Sequence, residues 1–302
     1  MPDTSDRPHF NVSRRRVGGL FTAGAQLPLM RVGIVAQKGN SRAALLAEEI
    51  RDTLPDEVSI RLDDATAERL DRDGSPVEEM HECDLVVSIG GDGTFLFAAR
   101  GAGPTPILGV NLGEVGFLNG VRPDDAVETV EAVVAGYRET DTIPSREVPR
   151  LQAEGEGDWS VHPALNEIVV QGPQRGHGEG LDYELRVDDH VFNAGHGDGV
   201  LVSTPTGSTA YNLSEGGPLV HPDADALVVT EMCAAESMPP LVVPSDSAVE
   251  IRATGAEVGY VSADSTRKQF EMPETVRVRA DPEPTRIAEP SSDFFEALGK
   301  LD

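Results

Sequence analysis

The chain has 302 residues, long for one small domain and short for three, and 39% of them are hydrophobic, enough to build a sizeable core. Its 52 Asp and Glu against 25 Lys and Arg leave a formal charge of −27, which excludes holding nucleic acid or an anionic membrane by net positive charge. No run of apolar residues nears the ~18 of a transmembrane helix, and two cysteines, Cys83 and Cys233, fit a reducing compartment better than a disulfide framework.

The acidic residues are spread along the chain, and the only lysines are Lys38, Lys268 and Lys300. A hydrated carboxylate surface whose self-repulsion is screened by salt is expected, so the composition reads as salt-adapted.

Residues 1–29 show no sustained periodicity and read as a disordered leader or upstream extension. The regular pattern begins near Met30. Arg31–Gln37 predicts a buried strand, and Ser41–Leu54 a helix with Ser41 as its cap. Val58–Leu62 is a short strand. Asp84–Ile89 is a near-continuous apolar strand of the kind covered on both faces. Pro106–Asn111 is another strand, and Pro123–Tyr137 a helix opened by proline. Alternating strand and helix predict an α/β domain over 30–144, a parallel sheet with crossover helices.

After Pro144 strands follow one another. They are Arg150–Ala153, Leu165–Gln171, Leu181–Val187, Val191–Ala194, Val200–Ser203, Leu227–Glu231, Leu241–Val243, Ala248–Ala253 and Val276–Arg279. Alternation such as Tyr183-Glu184-Leu185-Arg186-Val187 is the half-buried antiparallel type. Residues 145–280 therefore predict a β-rich domain, with one short helix near Ser208–Glu215. The segment 281–302 ends in a small helix, Ser291–Leu301, with Phe294, Phe295 and Leu298 on one face.

Chemistry concentrates in three segments. The strand ending at Ile89 enters Gly90-Gly91-Asp92-Gly93-Thr94, and a helical run follows. Glycines let several N–H groups approach a phosphate, and the helix N-terminus adds its positive end. Asp92 is odd there, because a carboxylate beside phosphate is repelled unless it holds Mg²⁺ or takes a proton from a nucleophile. Those needs point to phosphoryl transfer. The turn is neither a Walker A loop nor a Gly-x-Gly-x-x-Gly dinucleotide fingerprint. The second segment, Gly197-Asp198-Gly199 to Ser214, is a strand followed by a turn rich in hydroxyls and glycine. Thr206 and Thr209 offer hydroxyls to ribose or phosphate, and Tyr211 a face for a base. The third, Asn166-Glu167, sets a polar pair in an apolar strand, where it needs partners. No metal-ligand spacing and no Ser-His-Asp elbow is present. His177 and His196 lie in glycine loops near the proposed pocket; His81, His162, His190 and His221 read as incidental.

Gly90–Thr94, Leu165-Asn166-Glu167 and Asp198–Tyr211, in this order, resemble NAD kinases. So do Gly109-Val110-Asn111-Leu112-Gly113, Gly116-Phe117-Leu118 and Gly216-Gly217-Pro218-Leu219-Val220. Lipid kinases and phosphofructokinases share the glycine turn but not Thr204–Tyr211. The resemblance covers about Met30 to Leu301. It implies an α/β N-terminal domain, a β-rich C-terminal domain and a chain end that packs back on the first. It implies transfer of the ATP γ-phosphate to the 2′-hydroxyl of the adenosine ribose of NAD, with Mg²⁺ or another divalent metal.

By resemblance, Asp92 is the base, and the Gly90–Thr94 turn, with Asp92 and Gly93 foremost, lines the phosphoryl and ribose site. Asn166 and Glu167 bind adenosine, and Asp198 faces nicotinamide. Thr209, Ala210, Tyr211 and Ser214 complete the pocket, partly from a neighbouring subunit of a dimer or tetramer. His196 stands where the family is often basic, Asp264 opens the late Asp-(Gly/Ser)-Gln element as Asp264-Ser265-Thr266, and Glu114 and Cys233–Pro240 depart from the pattern. Polyphosphate remains an alternative donor. Ser13–Arg16 before Val17–Leu29 has the outline of a twin-arginine export signal, broken by Gly18, Gly19, Gly24 and Gln26. A reaction that draws on a nucleotide pool places the protein in the cytoplasm.

Overall fold

The computed structural model describes residues 30–113, 116–174, 176, 180–234 and 236–299. The leader, Glu114 and His177 lie outside the described residues. In chain order the first part contains β1 (Met30–Ala36), α1 (Ser41–Thr53), β2 (Val58–Leu62), α2 (Asp64–Leu70), β3 (Leu85–Gly90), α3 (Asp92–Ala102), β4 (Ile107–Asn111), α4 (Ala126–Thr140) and β5 (Ser145–Val148). Then follow β6 (Leu151–Gly155), β7 (Glu167–Gln171), β8 (Leu181–Val187), β9 (His190–Gly197), β10 (Gly199–Ser203), α5 (Tyr211–Ser214), β11 (Ala226–Met232) and β12 (Leu241–Pro244). The chain continues through β13 (Val249–Thr254), β14 (Val258–Ala263), β15 (Thr266–Glu271), β16 (Glu274–Ala280), β17 (Thr285–Ala288) and α6 (Phe294–Leu298).

The first sheet has strand order β2-β1-β3-β4-β17-β5, parallel from β2 through β4. Every residue of β3 is buried, because helices cover both faces. Ile34, Val87 and Val110 face α1 and α4 on one side; Val35, Val86 and Ile107 face α3 on the other. The cap of α1 is Asn40, whose side chain accepts the N–H groups of Arg42 and Ala43; Ser41, expected in that role, is the first helical residue. The short α2 was not expected. Its buried residues are Thr66 and Ala67, too small to print a helical period. Pro123 opens a 3-10 turn, Pro123–Asp125, and α4 starts after it.

Two strands from beyond Pro144 join the first sheet. β5 belongs to the first sheet, and β17 lies between β4 and β5, parallel to β4 and antiparallel to β5. The remaining strands form two antiparallel sheets, β12-β11-β10-β7-β14-β15 and β6-β16-β13-β8-β9. Their inner faces meet through Ile168, Val170, Val200 and Val202 on one side and Leu185, Ile251, Val276 and Val278 on the other. Outer-facing Val169, Leu201 and Met232 are covered by Tyr211. In α6 the expected apolar face is not the buried one: Ala297 is buried, while Phe295 is 68% exposed.

Candidate active site

Asp92 is the first residue of α3, separated from the end of β3 by Gly91 alone. At a helix start the first N–H groups have no acceptor in the helix, so those of Asp92 and Gly93 are open to a ligand. A Cβ on Gly91 or Gly93 would meet nothing within 4 Å, whereas one on Gly90 would lie 2.4 Å from Thr94 Oγ1. Gly90 thus permits the tight turn, and Gly91 and Gly93 leave space beside it.

The Asp92 carboxylate is gripped from the loop after β4. Oδ2 accepts the Phe117 N–H (3.0 Å), and Oδ1 accepts the Leu118 N–H (3.3 Å) and the Asn119 Nδ2 amide (2.8 Å). Three donors fix the orientation of a half-buried carboxylate. Asn119 was missed in the sequence. The signal available was chemical: a carboxylate set among phosphate-binding glycines needs donors, and Asn119 follows the Gly116-Phe117-Leu118 run.

The start of β7 is pinned by a second carboxylate. Asp264 Oδ2 accepts the Leu165 N–H (2.8 Å), and Oδ1 accepts those of Asn166 (2.9 Å) and Glu167 (3.3 Å). Asp264, expected to touch ligand, is turned onto this backbone. It holds a left-handed conformation, φ 47°, at the β14–β15 turn. The other side of the same segment is held by the hydroxyl-rich turn. Thr204 Oγ1 donates to Leu165 O (2.6 Å), Thr204 N–H donates to Asn166 O (2.9 Å), and Gly207 N–H donates to Thr204 Oγ1 (3.1 Å). Ser208 Oγ bonds Val220 at both its carbonyl and its N–H. Most hydroxyls of this turn therefore serve the protein itself. Thr206 Oγ1 is buried with no hydrogen-bond partner among the described residues.

Glu167 is buried, receives the Tyr211 backbone N–H, and keeps Oε2 without a hydrogen-bond partner among the described residues. Burial, reinforced by the Asp264 charge, pushes its carboxyl up to about 8. Burial raises Asp264 as well, opposed by its three N–H donors. The Tyr211 ring rests on Val169, Leu201 and Met232, so it is packed as well as placed at the turn. Ala210 is half-buried beside it and Ser214 is exposed.

His196 and Asp198 do not join this group. They precede β10 at the end opposite Ser203, about 16 Å away along an extended strand. His196 Nδ1 meets Asp182 Oδ1 at 2.8 Å, and Asp198 Oδ1 accepts the Gly176 N–H at 3.0 Å.

A cavity of about 250 Å³ opens beside the Asp92 cradle, lined by Phe117, Arg146, Thr206, Thr209, His221 and Phe294 among others. His221 is not incidental: its ring packs edge-on to Phe294 at 5.2 Å and walls this cavity. Burial lowers the Arg146 guanidinium, with Asp223 and Glu289 opposing. Among the described residues no three His, Cys, Asp or Glu side chains converge on a metal position, and no helix is long and apolar enough to cross a membrane.

Comparison with known proteins matches the ATP-NAD kinase N-terminal domain to residues 32–137 and the C-terminal domain to 157–289. An NAD kinase of Halobacterium salinarum is 57% identical, covering 90% of this chain and all of that protein. One from Natronomonas pharaonis is 53% identical with the same coverage. Among solved structures, an NAD kinase from Archaeoglobus fulgidus in complex with ATP aligns with TM-score 0.73 at 26% identity, over 90% of this chain and 98% of that one. A yeast NADH kinase complexed with NADH aligns with TM-score 0.76 at 25% identity, over 91% and 88%. With both domains matched, the same fold and a carboxylate cradled at the glycine turn, the chain belongs to the NAD kinase family, phosphotransferases with an alcohol group as acceptor.

Proposed function

We infer that this chain transfers the γ-phosphate of ATP to the 2′-hydroxyl of the adenosine ribose of NAD, giving NADP. The observation that carries this reading is the Asp92 carboxylate, held by three donors next to a cavity lined by Phe117, Thr206 and Thr209. With the ribose at Asp92, the carboxylate takes the 2′-hydroxyl proton as that oxygen attacks. The new bond is from 2′-oxygen to γ-phosphorus; the bond from γ-phosphorus to the β,γ-bridging oxygen breaks, and ADP leaves. The bare N–H groups of Asp92 and Gly93 stabilise the phosphoryl oxygens. Glu167, Asn166 and Tyr211 bind the adenosine. Thr206 Oγ1, buried without a partner among the described residues, is suited to a substrate hydroxyl or ring nitrogen.

Mg²⁺ would arrive with the triphosphate, and the residue at hand to meet it would be Asp92, since Mg²⁺ is ordinarily held by one or two carboxylates together with substrate phosphates. When bound it neutralises charge on the β- and γ-phosphates. Asp198, just before β10, faces the nicotinamide end in this reading, and Thr209, Ala210, Tyr211 and Ser214 complete the pocket partly from a neighbouring subunit of a dimer or tetramer. We further propose a cytoplasmic, salt-adapted enzyme, the charge of −27 being the support. The natural division is 1–29 as leader, 30–144 as α/β domain, 145–280 as NAD-binding domain and 281–302 as returning tail, with β5 lent to the first sheet.

The test is purified protein with ATP, Mg²⁺ and NAD at 50 mM and 2 M KCl, read with an NADP-specific dehydrogenase. NADP formation that is strong in molar KCl and weak at 50 mM is expected, because the Debye length grows from ~3 Å at 1 M salt to ~30 Å at 0.01 M. NAD and ATP binding without NADP would make the chain a nucleotide-binding protein instead. Equal activity at both salts would end the salt-adapted reading.

A further inference from the structure

The loop that grips Asp92 is itself held from the far end of the chain. Of the three donors to that carboxylate, the Leu118 N–H is the most distant, 3.3 Å from Oδ1. It belongs to the peptide that joins Phe117 to Leu118. The carbonyl of that same peptide, Phe117 O, accepts the Ser292 hydroxyl. One peptide plane therefore links Ser292 to Asp92. A carbonyl that accepts a hydrogen bond polarises its peptide, and the N–H at the other end becomes a better donor. We infer that Ser292 is a positioning residue for the Asp92 base, acting through the peptide between Phe117 and Leu118. The inference rests on the kinase reading above.

The neighbours of Ser292 hold it in place for this. The Ser291 N–H donates to Glu289 Oε2 at 3.0 Å. On the other side Asp293 caps α6, its Oδ1 accepting the Glu296 N–H at 2.8 Å. The segment lies backbone to backbone against the loop after β4. A Cβ on Gly120 would fall 2.4 Å from the Ser291 carbonyl carbon and 2.5 Å from the Ser292 nitrogen, an approach that only glycine permits. Phe294, the first residue of α6, adds an apolar anchor. Its ring centroid lies 6.1 Å from that of Phe117 and 5.2 Å from that of His221. Ala297 is the buried residue of the helix.

Ser291, Ser292 and Phe294 also line the cavity beside Asp92, so the tail borders the reacting groups without supplying one. Two roles for it differ in what they change. A tail that only walled the cavity would act on substrate affinity. A tail that aims the carboxylate acts on turnover, because the base must come within hydrogen-bond reach of the proton it takes.

The experiment compares wild type, Ser292→Ala, Ser292→Thr and Gly120→Ala in molar KCl, by steady-state kinetics and by hydrogen exchange of the 116–120 segment. Ser292→Ala should lower kcat about three- to tenfold, the worth of one hydrogen bond, with KM for NAD and for ATP within about twofold. Ser292→Thr keeps the hydroxyl and should hold kcat within about twofold of wild type. Gly120→Ala pushes the tail off the loop and should lower kcat at least as far as Ser292→Ala does. Exchange of the segment should quicken by about threefold or more in Ser292→Ala and Gly120→Ala, and not in Ser292→Thr. A fall in kcat of less than about threefold in Ser292→Ala overturns the inference. So does a loss that Ser292→Thr shares, or one confined to KM for NAD. Should Gly120→Ala fail to fold, the two serine variants decide alone. If the wild type makes no NADP, the kinase reading fails separately. Exchange then decides the link: quicker exchange in Ser292→Ala supports it, and unchanged exchange overturns it.

Discussion

The two glycine-bearing turns of the site look alike in sequence and differ in use. In Gly90–Thr94, added Cβ atoms at Gly91 and Gly93 would point into open space. In the turn after β10, a Cβ on Gly207 would lie 2.1 Å from Asn166 O, and the Thr204 and Ser208 hydroxyls are bonded to the protein. One turn keeps open space beside its backbone. The other uses backbone and hydroxyls to hold the Asn166-Glu167 segment, leaving Thr206 and Thr209 at the cavity.

The largest effect that could break this comparison is at Gly207. Gly207→Ala forces backbone apart and should cost about 3 kcal/mol or more of stability, seen as a large fall in melting temperature. Gly93→Ala adds a methyl to a helix start without a clash. Its melting temperature should hold or rise slightly, while kcat/KM for ATP falls. The reverse pattern would mean that the roles of the two turns had been exchanged.

Asp264 sharpens the contrast at the next level. Its carboxylate accepts three backbone N–H groups and so positions Asn166 and Glu167. Asp264→Asn turns an amide NH₂ toward those donors and should cost ~1–3 kcal/mol. The kinetic mark is a rise in KM for NAD, with kcat within about threefold. A fall in kcat at constant KM would place Asp264 in the chemistry.

Much of this was legible in the sequence. The strands around Val32, Val87, Val170 and Val200 are apolar enough to announce themselves, and the Gly90–Thr94 turn follows one of them directly. What stayed hidden was set by distant partners. β17 is four residues long and earns its place only between β4 and β5. The β14–β15 hairpin includes the polar Thr266-Arg267-Lys268-Gln269, whose outward side chains mask the strand period. Asn119 and His221 became meaningful only where the chain returned to meet Asp92 and Phe294.

Glu167 gives a smaller effect, readable against pH. Its carboxyl is raised from the usual 4.5 to about 8 by burial first and the Asp264 charge second. The folded state thus binds this proton more tightly than the unfolded state. The associated stability is fully present below pH 4.5 and is lost as pH rises toward 8. Glu167→Gln cannot lose that proton. The difference in melting temperature, variant minus wild type, should therefore increase from pH 5 to pH 8. A difference independent of pH would show that Glu167 titrates normally.

The most direct test of the central claim is the turnover of Asp92→Asn in molar KCl, measured beside its melting temperature and its calorimetric affinity for NAD. Loss of a positioned base lowers kcat by ~10²–10⁴-fold. That loss, with fold and NAD affinity retained, is the predicted result. An Asn variant turning over within tenfold of wild type would contradict the assignment of Asp92 as the base.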